Sequence, residues 1–139
     1  MKYEMLVLDL DGTLTNSRKE ITPATKQALI EIQEAGKKVV LASGRPTCGV
    51  VPLAKELELD RFGSYILSFN GALIIDCATN KPVYNKTLPR EVIAPIFEYT
   101  KNYSGLDIIS YENDCVISGL KVNEYTEKEM FINKMPVKE

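Results

Sequence analysis

The chain has 139 residues, a formal net charge of −2, 45% hydrophobic and 26% charged residues, the balance of a water-soluble globular protein with its own core. So small a charge supplies no field that would draw nucleic acid or an anionic membrane. The chain has no histidine, which excludes Ser-His-Asp and Cys-His catalysis and leaves a hard cation held by oxygen as the metal to expect.

No apolar run approaches the roughly 18–20 residues of a spanning helix. Met1-Lys2-Tyr3-Glu4 leads into a strand and does not resemble a signal peptide. A cytoplasmic protein with no membrane partner is expected. Cys48, Cys77 and Cys115 are widely spaced and form no Cys-x-x-Cys pair, so three reduced thiols are expected and no zinc site or disulfide framework.

In chain order, Met5 to Leu10 is an apolar run that reads as a strand covered on both faces. A polar loop follows from Gly12 to Ile21. Thr22-Pro23 is a helix start, an N-cap hydroxyl with proline at the first helical position. Ala24, Ala28, Leu29 and Ile32 then recur at helical spacing up to Gly36, a C-cap. Lys38 to Ala42 is the second strand, completing a right-handed β-α-β unit. A helix is expected from about Thr47 to Leu57, with Pro52 kinking or separating its first turn. Tyr65 to Phe69 is the third strand, Asn70-Gly71 a turn, and Ala72 to Asp76 a returning strand.

Beyond this point strand–helix alternation gives way to an α+β pattern. Lys81 to Leu88 reads as a strand and Pro89 to Tyr103 as an amphipathic helix. Leu106 to Tyr111 and Cys115 to Ser118 read as a hairpin across Glu112-Asn113-Asp114, and Thr126 to Ile132 as a further helix. The domain boundary is placed after Cys77, giving domains 1–77 and 78–139.

Three strand ends carry the chemistry. Asp9 and Asp11 stand where the first strand leaves the sheet, and ligands of open α/β sheets bind beyond the carboxyl ends of strands. Asp9 suits a nucleophile or a metal ligand, and Asp11 a proton carrier. Gly12 and Gly44 let backbone N–H groups approach an anion. Ser43 offers a hydroxyl and Arg45 a guanidinium suited to phosphate. Two carboxylates repel a phosphate, so a bridging divalent cation is expected, and Mg2+ fits. Taken alone, Asp11-Gly12 and Asn70-Gly71 are ordinary turn dipeptides; agreement among the strand ends raises them to site candidates.

Asp9-Leu10-Asp11-Gly12-Thr13-Leu14 resembles the signature of the haloacid dehalogenase superfamily. Ser43-Gly44-Arg45 is similar to its second motif, and Asn70-Gly71-Ala72 resembles its Cof-type sugar-phosphate phosphatase branch. The resemblance implies an α/β fold: the N-terminal half of a three-layer Rossmann-like core with parallel strands, then the start of an α/β cap at about Ala78. It implies that Asp9 attacks phosphorus to form an aspartyl-phosphate, and that Asp11 protonates the leaving alcohol and then activates water. Mg2+ would be held by the Asp9 carboxylate and the Asp11 backbone carbonyl. Ser43 and Gly44 would hold the phosphoryl group with Gly12 beside it, Thr13 would support the first loop, Asn70 and Gly71 would form the rim, and Arg45 would lie near a small-molecule phosphate ester.

The chain departs from the pattern in showing neither the phosphate-neutralising lysine nor the later acidic cluster. It therefore reads as the first half of a longer phosphatase, weak or inactive alone. An exposed sheet edge at the first strand is expected, with self-association or segment swapping through it. Two other readings stay open. One is a phosphotransferase or phosphohexomutase with the same aspartate pair, and the other a non-catalytic chain that binds anions or a partner. No Gly-x-x-x-x-Gly-Lys-Ser/Thr occurs, which argues against a P-loop.

Overall fold

A computed structural model describes residues 3–112, 115–119 and 121–138. It forms two compact units that divide between Lys86 and Thr87. The first holds strands β1 (Met5–Asp9), β2 (Lys38–Ala42), β3 (Tyr65–Ser68), β4 (Leu73–Asp76) and β5 (Lys81–Asn85), with helices α1 (Pro23–Glu34) and α2 (Thr47–Glu56). These strands make one sheet in the order β1-β2-β3-β4-β5. β1 and β3 pair parallel to β2, whereas β4 and β5 continue antiparallel.

Local chemistry sets the helix bounds. Thr22 has extended backbone, and its side chain accepts the Thr25 N–H at 3.2 Å. Pro23 follows at the first helical position, where a missing N–H costs nothing. Gly36, at φ +80°, turns the chain out of α1 in the left-handed conformation that glycine adopts without strain. Pro52 sits inside α2, which runs as one helix from Thr47 to Glu56, so the first turn is not a separate element. Phe69 leaves the strand expected to contain it: it enters a short 3-10 turn, Phe69–Gly71, with φ +51°.

Leu29 of α1 and Val50, Leu53 and Ala54 of α2 pack with Leu10, Val39, Leu41 and Ile66 in one core cluster. Both helices therefore cover the same face of the sheet. Leu10, Leu41, Leu57 and Leu59 are wholly buried, each contributing roughly 1.5–3 kcal/mol. Buried Gln33 ties the helices together by donating from Nε2 to the Leu57 carbonyl at 2.9 Å. No described residue of this unit forms a helix on the opposite face, so the described part of the core has two layers. Met5 and Val7 are half exposed, which corrects the expectation that β1 is covered on both faces.

The division at Lys86 falls later than the boundary expected after Cys77. β5 pairs with β4, and those ladder hydrogen bonds keep it in the first sheet. Cys77 is half-buried, and burial first, then the charges of Asp76 and Asp60, push its thiol up to about 11. Among the described residues no disulfide joins Cys48, Cys77 or Cys115.

The second unit contains α3 (Ile93–Thr100), β6 (Ile109–Glu112), β7 (Cys115–Ser118), α4 (Glu124–Asn133) and β8 (Val137–Lys138). β6 and β7 form the expected hairpin, whose tip residues 113 and 114 lie outside the described residues. β8, a two-residue strand without a sequence signal, pairs parallel to β7. α4 begins at Asn123, whose side chain accepts the N–H groups of Tyr125 and Thr126 while Thr126 Oγ1 accepts the Asn123 N–H, a reciprocal cap. Among the described residues no helix is long and apolar enough to cross a membrane.

Candidate active site

The first loop is built around a buried leucine. Asp9 and Asp11 flank Leu10, which is wholly buried. The Leu10 carbonyl accepts the Thr15 N–H at 2.9 Å, Thr15 Oγ1 at 2.9 Å and the Thr13 N–H at 3.4 Å. The Leu14 N–H donates to the Asp9 carbonyl at 3.2 Å. Gly12, at φ +85°, supplies the left-handed residue that lets the loop close so tightly. One apolar anchor thus fixes the backbone of both acids at the mouth of β1.

The exits of β2 and β3 are laced together. The Ser43 N–H donates to the Leu67 carbonyl at 2.9 Å, the Asn70 N–H to the Ser43 carbonyl at 3.1 Å, and the Phe69 N–H to the Arg45 carbonyl at 3.0 Å. Ser43 is buried, and its Oγ accepts the Arg45 N–H at 3.2 Å. A Cβ on Gly44 would lie 3.1 Å from Asn70 Oδ1, so these two candidates sit side by side. Asn70 (φ +55°) and Gly71 (φ +85°) both take left-handed backbone to make the turn behind them.

The two acids have different surroundings. Asp9 is exposed, in register with Ala42 immediately before Ser43. Asp11 is gripped by cations. Arg45 donates from Nε to Asp11 Oδ2 at 2.9 Å and from Nη2 to Oδ1 at 2.6 Å, and Lys19 Nζ donates to Oδ1 at 2.7 Å. The Arg45 side chain is 7% exposed, and its Nη1 reaches the Gly49 carbonyl at 3.4 Å. The Arg45 hydrogen bonds, with Lys19 assisting and partial burial opposing, lower the Asp11 carboxyl to about 2. A fork-on-carboxylate contact of this kind is strong and directional.

The structure therefore brings Asp11 to Arg45, and Ser43 and Gly44 to Asn70, while Gly12 and Thr13 shape the loop that follows the two acids. Arg45, expected near the phosphate ester, directs its fork to Asp11. Sequence reasoning missed Lys19 and Thr15. Lys19 lies in a polar loop with left-handed backbone at φ +63°, and no spacing rule marks it. Thr15 is a buried polar residue in a stretch that reads as solvated loop. Among the described residues no three acidic or cysteine side chains cluster as a metal cage. Two oxygen donors at Asp9 and Asp11 still suit Mg2+, which keeps several waters and needs only one or two carboxylates beside a phosphate.

A mixed α/β sheet whose first three strands run parallel carries Asp9, Asp11 and the Ser43-Gly44-Arg45 turn at adjoining strand ends, the place where open α/β sheets bind ligands. The chain belongs to the haloacid dehalogenase-like hydrolases, whose family profile matches residues 6–139. A haloacid dehalogenase-like hydrolase from Bacteroides thetaiotaomicron superposes with a TM-score of 0.91 at 46% identity, over 99% of this chain and 52% of that one. The subclass IIB sugar phosphatase BT4131 shares the fold, with a TM-score of 0.72 at 23% identity, over 97% of this chain and 52% of that one. In Bacillus subtilis (strain 168), the protein named "Putative phosphatase YxeH" is 27% identical over 97% of this chain and 50% of its own length. The chain thus spans about half the length of the curated relatives it matches first.

Proposed function

We propose that the chain carries the nucleophile half of a Mg2+-dependent phosphatase acting on small phosphate monoesters such as sugar phosphates. The observation that supports this most is the pairing at one strand end of an exposed Asp9 with an Asp11 held by Arg45 and Lys19. An Asp9 carboxylate oxygen attacks phosphorus, the ester P–O bond breaks, and an aspartyl-phosphate forms. The leaving oxygen takes a proton, and water then attacks the same phosphorus to release phosphate and restore Asp9. Ser43 Oγ and the Gly44 N–H supply donors for the phosphoryl oxygens. Asp9 and the Asp11 backbone carbonyl would hold Mg2+, which neutralises charge between carboxylate and phosphate.

Asp11 is the proton carrier in this reading. With Arg45 and Lys19 upon it, Asp11 is ionised at neutral pH, able to accept a proton from water but not to give one. Donation to the leaving oxygen requires that this grip loosen when substrate binds. The chain alone is therefore expected to turn over p-nitrophenyl phosphate weakly or not at all. Joined to the remaining half of a family fold, it should hydrolyse the ester with Mg2+, and Asp9→Asn should abolish that turnover. Turnover undiminished by Asp9→Asn would refute the nucleophile assignment. Transfer of the phosphoryl group to an added sugar hydroxyl, in place of release as inorganic phosphate, would select the mutase-like alternative.

A further inference from the structure

Residue 44 is a glycine for reasons of space and not of backbone shape. Gly44 does not take the left-handed conformation that Gly12, Gly36 and Gly71 take, so its φ does not call for glycine. A Cβ there would instead lie 3.1 Å from Asn70 Oδ1 and 3.6 Å from both Cγ and Nδ2 of the same side chain. The missing side chain of Gly44 admits the Asn70 amide.

The backbone beneath that amide is held against its own preference. Phe69, Asn70 and Gly71 are left-handed in succession, at φ +51°, +55° and +85°, and for a bulky residue such as Phe69 that conformation is an outlier. Such backbone persists only where its surroundings overdetermine it. Here the Phe69 N–H donates to the Arg45 carbonyl at 3.0 Å, the Asn70 N–H to the Ser43 carbonyl at 3.1 Å, and the Ala72 N–H back to the Phe69 carbonyl at 3.1 Å. A turn alone does not need an amide at position 70, because glycine holds a left-handed φ with less strain than asparagine.

The amide so placed is available to a ligand. Asn70 is exposed, and among the described residues nothing bonds its side chain or accepts the Gly44 N–H. Ser43 Oγ accepts the Arg45 N–H and keeps its own O–H to give. Ser43, Gly44 and Asn70 thus bring three uncharged donors to one corner of the strand ends, while the Arg45 fork is engaged by Asp11. Phosphoryl oxygens are strong acceptors that form charge-assisted hydrogen bonds, and an exposed amide turns its nitrogen toward them at little cost.

We infer that Asn70 is a substrate-contacting residue of this site: its side-chain amide donates to the phosphate of the ester beside the Gly44 N–H, and the left-handed turn and the glycine at 44 are what put it there. The inference rests on the proposed reading of the strand ends as a phosphate site. It deepens that reading by adding a third phosphoryl donor, delivered from the exit of β3 to the turn that follows β2.

The test titrates inorganic phosphate, with Mg2+ present and ionic strength fixed, into the 139-residue chain and follows amide resonances. The side-chain NH2 resonances of Asn70 should move with the Gly44 N–H along one binding curve. Asn70→Gly keeps the left-handed backbone and removes the amide, so it should melt no lower than the parent while binding phosphate about tenfold more weakly. Asn70→Asp keeps the side-chain shape but presents a carboxylate to the anion, and should bind more weakly still. Circular dichroism shows that each variant folds, and the titration of the parent needs no variant. Asn70 NH2 resonances that stay still while Gly44 shifts, parental affinity in Asn70→Gly, or an Asn70→Asp that binds as well as Asn70→Gly would overturn the inference, as would absence of phosphate binding by the chain. Parental affinity in Asn70→Gly beside turnover abolished by Asp9→Asn would overturn it and leave the proposed function standing. Weakened binding by Asn70→Gly beside turnover that survives Asp9→Asn would uphold it and count against the nucleophile assignment.

Discussion

The grip of Arg45 and Lys19 on Asp11 gives stability a pH dependence that can be worked out. The folded carboxyl titrates at about 2 against an ordinary 3.8. The folded value lies below the unfolded one, so the stabilisation is fully present above the unfolded value and is lost as pH falls toward 2. At full strength such a shift carries roughly 2.5 kcal/mol. The Asp11 side chain is 36% exposed, and solvent screening brings the expected contribution to about 1 kcal/mol. Asp11→Asn removes that titration and also strands the buried Arg45 guanidinium, a further cost that does not depend on the Asp11 proton. Urea unfolding followed at resonances of the first unit separates the two. The gap in unfolding free energy between parent and Asp11→Asn should be widest near neutral pH and should narrow by about 1 kcal/mol between about pH 4 and pH 2. A gap that stays constant across that range would refute the ion-pair reading.

Three further outcomes follow from local geometry. Gly12→Ala should cost about 1–2 kcal/mol through backbone strain alone, because φ is +85° while the added Cβ meets open space; thermal unfolding measures it. Asn123→Ala removes the acceptor for the Tyr125 and Thr126 N–H groups and should cost about 1 kcal/mol, seen as faster amide exchange at the start of α4. Cys77, with its thiol raised to about 11, should react with a thiol reagent at neutral pH far more slowly in the folded chain than in denaturant; equal rates would contradict its burial.

Much of the first unit could be read from residues because its signals are local. Thr22-Pro23 announces α1 by cap chemistry, and β2 matches its apolar run to the residue. Gly36 and Gly71 mark real left-handed positions. What could not be read depended on partners distant in sequence. Nothing in the composition of Met5–Asp9 distinguishes a strand covered on both faces from one with Met5 and Val7 exposed. Phe69 was drawn into the strand by its aromatic β propensity, but hydrogen bonding of its N–H to the Arg45 carbonyl bends the chain there. The paired acids and the Ser-Gly-Arg turn were legible as candidates. Their electrostatic linkage was not, since Arg45 serves phosphate and carboxylate equally well and only tertiary geometry selects Asp11.

That selection bears on how the strand-end site divides its labour. Asp9 is fixed at the backbone by the Leu14 N–H with its carboxylate exposed, as a nucleophile requires. Asp11 is fixed at the side chain, by two cations of unlike character. Arg45 is buried, bidentate and further held by the Gly49 carbonyl, so moving it means breaking a packed contact. Lys19 makes one bond from a flexible stem and is three times more exposed, 22% against 7%. Lysine is also the more easily redirected point charge of the two. In the proposed reaction, an arriving phosphate dianion would therefore have one cation within easy recruitment and one that stays with the carboxylate. Withdrawing Lys19 alone relieves only the smaller of the two side-chain hydrogen-bond contributions that lower Asp11. In the proposed reaction, proton donation from Asp11 would depend chiefly on what happens to Arg45.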